Sequence, residues 1–132
     1  AENLVEFFVS SANPFRFFVD RASLSIGTDG VVRYTLIARS TSGSESISYE
    51  GIRCKSGILK VYAYGRTADR TWVPSRGSQW REIETRSVNR QHSALQRDYF
   101  CPQRIPILTP EEGIDALKRG GHPNARGEMS NN

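Results

Sequence analysis

Apolar and polar residues alternate along the first half of the chain with the two-residue period of half-buried β-strands. Residues 31–39 show this most cleanly. Val32, Tyr34, Leu36 and Ala38 share one parity, against Val31, Arg33, Thr35, Ile37 and Arg39 on the other, and the first set is read as core-facing. Residues 16–26 start apolar on both parities, with Phe17 and Val19 against Phe18, which predicts a strand buried on both faces at its beginning. Thr28-Asp29-Gly30 between these two runs is a hairpin signal. Residues 45–54 form a further strand pattern, with Ile47, Tyr49 and Gly51 against Ser46, Ser48, Glu50, Ile52 and Cys54. Residues 58–64 form another, set off by turns at Thr41 to Ser44 and at Lys55-Ser56-Gly57. An earlier apolar run at 4–9 reads as a strand or extended arm, ended by Ser10, Ser11, Asn13 and Pro14. Evenly spaced strands joined by polar turns predict an antiparallel meander.

Beyond Gly65 the period changes. A short strand is expected at 70–73, followed by a loop through Pro74 to Gly77. Val88, Leu95 and Tyr99 fall on one helical face of residues 86–100. Thr109, Pro110 and Glu112 form the start signal of a second helix, with Lys118 and Arg119 in its last turn before Gly120. Its apolar stripe is narrow, made by Ile114 and Leu117. Residues 121–132 have no period and read as a polar tail. The expected fold is α+β: one domain over 1–120, mainly an antiparallel sheet of five or six strands, barrel-like or half-sandwich. Two short C-terminal helices, near 88–100 and 110–119, cover part of it.

Composition narrows the function classes. The chain has 132 residues, 37% of them hydrophobic and 24% charged, as in an ordinary globular domain. No run approaches the roughly 18 apolar residues of a membrane-spanning helix. Two Cys and two His lack the spacing of the usual four-ligand zinc cluster, since neither Cys sits in a C-x-x-C pair. Cys54 and Cys101, 47 positions apart, read as one disulfide in an oxidising compartment or as two buried thiols; a disulfide would tie the strand at 45–54 to the end of the first helix. The chain begins at Ala1, and its one Met is Met129, so Ala1 reads as the product of processing or trimming. The net charge is +4, carried by 15 Arg and only 3 Lys. Sorted by position, Arg53 to Arg104 holds 11 Lys and Arg against 4 Asp and Glu, and the remainder is mildly acidic.

Phe17 to Asp20, the run Tyr49-Glu50-Gly51-Ile52-Arg53-Cys54, Trp80 and Tyr99-Phe100-Cys101 together resemble the cryptic neisserial protein-like family of proteobacteria. The resemblance extends from Phe7 to Cys101. It implies an exported protein with a signal peptide or lipoprotein signal, periplasmic or anchored to the outer membrane by a lipid upstream of Ala1. It implies no activity, and it supplies no catalytic residues.

Catalytic patterns are sparse. His92 falls within the first predicted helix, where it reads as a surface or boundary residue, and His122 falls in the tail; neither has a recognisable partner. No G-x-S-x-G elbow, P-loop, dinucleotide fingerprint or EF-hand is present. Glu82 and Glu84, flanked by Arg81 and Arg86, read as a solvated salt-bridged edge rather than an acid–base pair. No cofactor or metal is called for. The basic stretch is also where both Trp residues lie, and Arg with Trp and Tyr is the composition of protein–protein hot spots. The candidate contact face is therefore Tyr64, Arg66, Trp72, Arg76, Trp80 and Arg81. The leading function is a non-catalytic interaction or scaffold module meeting an envelope protein or an anionic envelope component. The alternative is a single-strand nucleic-acid or polyanion binder using the same face, and a hydrolase with His92 as base ranks third. Against all three stands a purely structural role, with Trp80 sealing one end of the core.

Overall fold

The computed structural model describes residues 3–84 and 90–125. The strands are β1 (Leu4–Phe7), β2 (Arg16–Ile26), β3 (Val31–Arg39), β4 (Glu45–Arg53), β5 (Ile58–Arg66), β6 (Thr71–Pro74) and β7 (Arg81–Glu82). The first six form one antiparallel sheet in chain order, a simple meander. β7 shares an edge of β5 with β6, since Ile58 and Leu59 pair with Glu82 and Arg81 while Ala63 to Arg66 pair with β6. The sheet is unclosed, with β1 at one edge and β6 at the other. The strand expected at 4–9 stops at Phe7, and the one expected at 70–73 sits one residue later.

Parity behaves as the alternation predicts. Val32, Tyr34 and Leu36 are buried and belong to the main core, with Ala38 packed against it. Their β4 partners in register, Ile52, Glu50 and Ser48, lie on the same face. Phe17, Phe18 and Val19 are all buried, so β2 does begin covered on both sides.

The core face is covered by a helical layer. α1 (Arg90–Ala94) runs directly into a π-helical segment, Leu95–Phe100, where Leu95, Tyr99 and Phe100 are buried. Val88, expected on the same stripe, lies outside the described residues. A short 3₁₀ turn (Pro102–Arg104) and an extended link lead to α2 (Pro110–Arg119), which packs on β1, β2 and the π-helical segment. Thr109 caps α2 by accepting the Glu112 N–H at 3.2 Å. Glu112 reaches one residue further back than a capping box requires, accepting the Leu108 N–H at 2.8 Å. Cys54, just after β4, is disulfide-bonded to Cys101, just after the π-helical segment. That bond fastens the helical layer to the middle of the sheet.

Residues 121–125, read from sequence as the start of a polar tail, pack instead on the domain. His122 and Ala125 are buried there, and the His122 N–H donates to the Asp98 carbonyl at 2.6 Å.

Candidate functional site

Among the described residues no helical layer covers the opposite face of the sheet; long side chains cover it. Arg16 and Arg39 place their guanidinium groups over the ring of Phe18, and Arg33 and Lys60 lie over Tyr62. Arg53 lies over Trp80 at 5.6 Å from the ring centroid. Such side chains shield apolar surface with their stems and keep their charge in water, with cation–π attraction added. The Arg excess thus has a folding role in this molecule. Arg33 and Arg39 are further held by ion pairs with Asp29 and Glu45.

An aromatic cluster occupies the β4–β6 end of this face. Tyr62 is the extra residue of a bulge in β5, where Glu50 pairs with Val61 but Tyr49 pairs with Ala63. The bulge lays the Tyr62 ring over Gly51, where an added Cβ would come within 3.0 Å of it. Tyr62 then meets Tyr49 at 5.6 Å and Trp80 edge-on at 6.4 Å. At the edge of the sheet Trp72 pairs with Gly65 and meets Tyr49 edge-on at 6.4 Å. Gly65 matters because a side chain there would run into Ile47 on the same face.

The six candidate contact residues do not form one plane. Trp72 and Trp80 belong to the aromatic cluster, but Trp80 is half-buried while Trp72 is 50% exposed. Tyr64 pairs with Ser48 and Val73, so it stands on the core-facing side of the sheet, beyond the helices and 48% exposed. Arg66 is exposed and pairs with Asp69 at 3.1 Å. Arg76 and Arg81 are exposed, Arg81 on the short strand β7. Every residue of β6 is exposed, so Trp72, Val73 and Tyr64 wrap the edge of the sheet from both faces. Beside Trp72 lies a groove of about 400 Å³ whose rim includes Arg66, Thr67, Arg70 and Thr71. Arg70 is not among the candidate contact residues, because the strand expected at 70–73 includes it, whereas β6 begins at Thr71 and leaves it in the preceding loop.

The two histidines overturn a sequence expectation. His92 is buried, 7% exposed, and its Nε2 lies 2.9 Å from Oε1 of Glu50, itself 3% exposed. Glu50 also accepts from the Tyr34 hydroxyl at 2.9 Å and from the Ser48 hydroxyl at 2.7 Å. Burial, and then the facing Glu50, pushes the Tyr34 phenol well above its ordinary pKa. His122 is buried as well. Its Nδ1 accepts the Asn124 N–H at 3.1 Å, which leaves Nε2 to donate to Glu112 at 2.6 Å. Both histidines therefore have a carboxylate partner. The reason they looked isolated is topological, since Glu50 is brought to His92 by the sheet from 42 residues away. Glu82 and Glu84 are exposed and have no Arg partner among the described residues, and Arg86 lies outside them.

Burial raises the Glu112 carboxyl, but the Leu108 N–H and the His122 ring together outweigh this, so its pKa is net lowered. A lowered carboxylate adds stability above its unfolded-state pKa and loses it as pH falls through the native one. The difference in unfolding free energy between wild type and Glu112→Gln should therefore be full at neutral pH. It should shrink once pH drops below the ordinary glutamate value of about 4.3. Denaturant unfolding across a pH series checks this, and a gap unchanged into acid would refute it.

Among the described residues no helix is long and apolar enough to cross a membrane, and no group of three His, Cys, Asp or Glu could hold a metal ion. Cryptic neisserial protein 1 of Neisseria gonorrhoeae (strain ATCC 700825 / FA 1090) is 29% identical over 105 residues, covering 71% of this chain and 52% of the relative. The chain thus spans about half the length of the curated relative it matches. No solved structure matches it. The match to the CNP1-like family runs over residues 1–118, through the whole sheet and nearly all of α2, and the chain belongs to that family.

Proposed function

We propose that this chain is a non-catalytic interaction module of a bacterial cell envelope, meeting its partner through the edge of the sheet around β6. The observation that carries the reading is the exposure of Trp72, Val73 and Tyr64 on a fully exposed edge strand. Arg66 adds charge beside them, Arg76 follows β6 in the chain, and Arg81 stands on β7 further along the same edge of β5, giving the edge an apolar centre with charged neighbours. An edge strand also offers unpaired backbone groups to a partner strand. The non-catalytic part is supported by the burial of both histidine rings away from solvent, and by Ser48, whose hydroxyl donates to Glu50 rather than to His92. Export to the periplasm or the outer membrane is supported by the disulfide, a bond that persists in oxidising compartments.

Retention of the purified protein on a bacterial envelope fraction tests the proposal. Trp72→Ala with Arg76→Ala should abolish retention and leave the protein folded with a modestly lower melting temperature, because Arg76 is exposed and Trp72 is half exposed against Tyr49. Retention undiminished in the double variant would overturn the β6 face. Repeating the assay across salt concentrations separates the polyanion alternative, which requires affinity to fall by about one power of salt per phosphate contact.

A further inference from the structure

We propose that the groove beside Trp72 takes a sugar ring bearing an anionic group, the indole stacking on the ring and the Arg70 guanidinium holding the acid. This deepens the interaction reading and rests on it. The groove, about 400 Å³, falls in the range of small-ligand clefts. One wall is an indole that is half exposed yet fixed from behind by Tyr49 and by its close seat against Gly65. A flat apolar surface held rigid before binding loses little freedom when a ring settles on it.

The rim supplies the polar half of the recognition. Arg66 is already paired with Asp69, whereas Arg70 has no ion-pair partner among the described residues. Thr67 and Thr71 add hydroxyls; Thr71 donates its proton to Asp69 at 2.7 Å and so presents oxygen lone pairs to a ligand hydroxyl. One indole, one unpaired guanidinium and two hydroxyls match a single acidic sugar. Arg70 also has a positive φ of 57°, a left-handed conformation that Gly adopts without strain and Arg does not. An arginine thus sits where folding alone favours glycine.

The same surface fits single-stranded nucleic acid poorly. Such binders need successive stacking platforms along a cationic track. Here Trp72 is the exposed indole, and Trp80 is half-buried with its ring perpendicular to Tyr62. The neighbouring cations Arg53 and Lys60 lie over rings, and Arg66 is in an ion pair.

Titration calorimetry with trigalacturonic acid, glucose 6-phosphate, neutral maltotriose and oligothymidylate tests the inference. At least one acidic sugar should bind about tenfold more tightly than maltotriose, the size of one charge-assisted contact. Whether the uronic acid or the phosphate wins identifies the acid. Arg70→Gly should erase that preference while leaving the melting temperature unchanged or higher, opposite to what a structural role for Arg70 would give. The inference is overturned if neither acidic sugar binds, if maltotriose binds equally well, if oligothymidylate binds tightest, or if Arg70→Gly keeps the preference. Failure of the acidic sugars with envelope retention still dependent on Trp72 would remove this ligand and leave the interaction module standing. Failure of both would remove both.

Discussion

Glu50→Ala should lower the unfolding free energy by about 3–5 kcal/mol, the loss expected when one partner leaves a buried, hydrogen-bonded charge cluster. The carboxylate is 3% exposed and accepts from Tyr34, Ser48 and His92, which come from β3, β4 and α1. Alanine would leave all three donors buried with nothing to accept them, and each such orphan costs about 1–3 kcal/mol unless water enters. Glu50→Gln should cost less, because its amide oxygen can still accept, though its NH₂ group then faces a donor. Tyr34→Phe should be milder again, since Glu50 keeps two partners. For a domain of this size the alanine variant should melt on the order of 10–20 °C lower. Chemical denaturation of the three variants gives the ranking. A loss below about 1 kcal/mol for Glu50→Ala would mean that the cluster is hydrated and does not join the sheet to the helical layer.

This cluster also shows where legibility in the sequence ends. Strand parity, turn residues and the α2 start signal are local properties, and the meander, its inward face and the second helix follow from them directly. The parity of Ser48, Glu50, Ile52 and Cys54 even places Glu50 on the inward face beside two core residues. A glutamate there requires buried partners, and that was the available signal. What no local pattern supplies is which partners, since His92 and Tyr34 reach Glu50 across 42 and 16 residues through tertiary packing. The winding change at Leu95 was hidden for the same reason, because α and π segments differ little in apolar spacing over one turn.

The contact face was legible in a different sense. Residue types marked the right stretch, but alternation along β5 and β6 sends Tyr64 and Trp72 to opposite sides of the sheet. The Arg excess divides similarly. Arg16, Arg33, Arg39 and Arg53 lie over aromatic rings on the sheet face without a helical layer, so part of what looked like ligand-binding charge serves the fold. Arg70 and Arg76 have no ion-pair or ring partner among the described residues, and Arg70 lines the groove beside the well-exposed indole of Trp72. Bulk composition cannot separate these two uses, because the separation depends on which strand face each Arg occupies.

Removing the Cys54–Cys101 bond should cost about 2–5 kcal/mol, with the chain-entropy value for a 47-residue separation near 4 kcal/mol. The closed loop contains β5, β6, β7 and α1, so the unfolded chain gains freedom over more than a third of its length when the bond is lost. Both cysteines are buried in the main core, at 0% and 2% exposure. Cys54→Ala alone and Cys54→Ala with Cys101→Ala should therefore be nearly equal in stability, since either removes the same crosslink. The bond also brings the end of β4 to the end of the π-helical segment, four residues along the chain from Glu50 and nine from His92. Combining Glu50→Ala with the cysteine pair should then depart from additivity, because two links across one joint support each other. Thiol titration of the unfolded, unreduced protein should find no reactive group, and the same titration after reduction should find two. Two thiols before reduction, or a cysteine pair as stable to denaturant as wild type, would remove the disulfide from the account of this fold and with it the main physical support for an oxidising compartment.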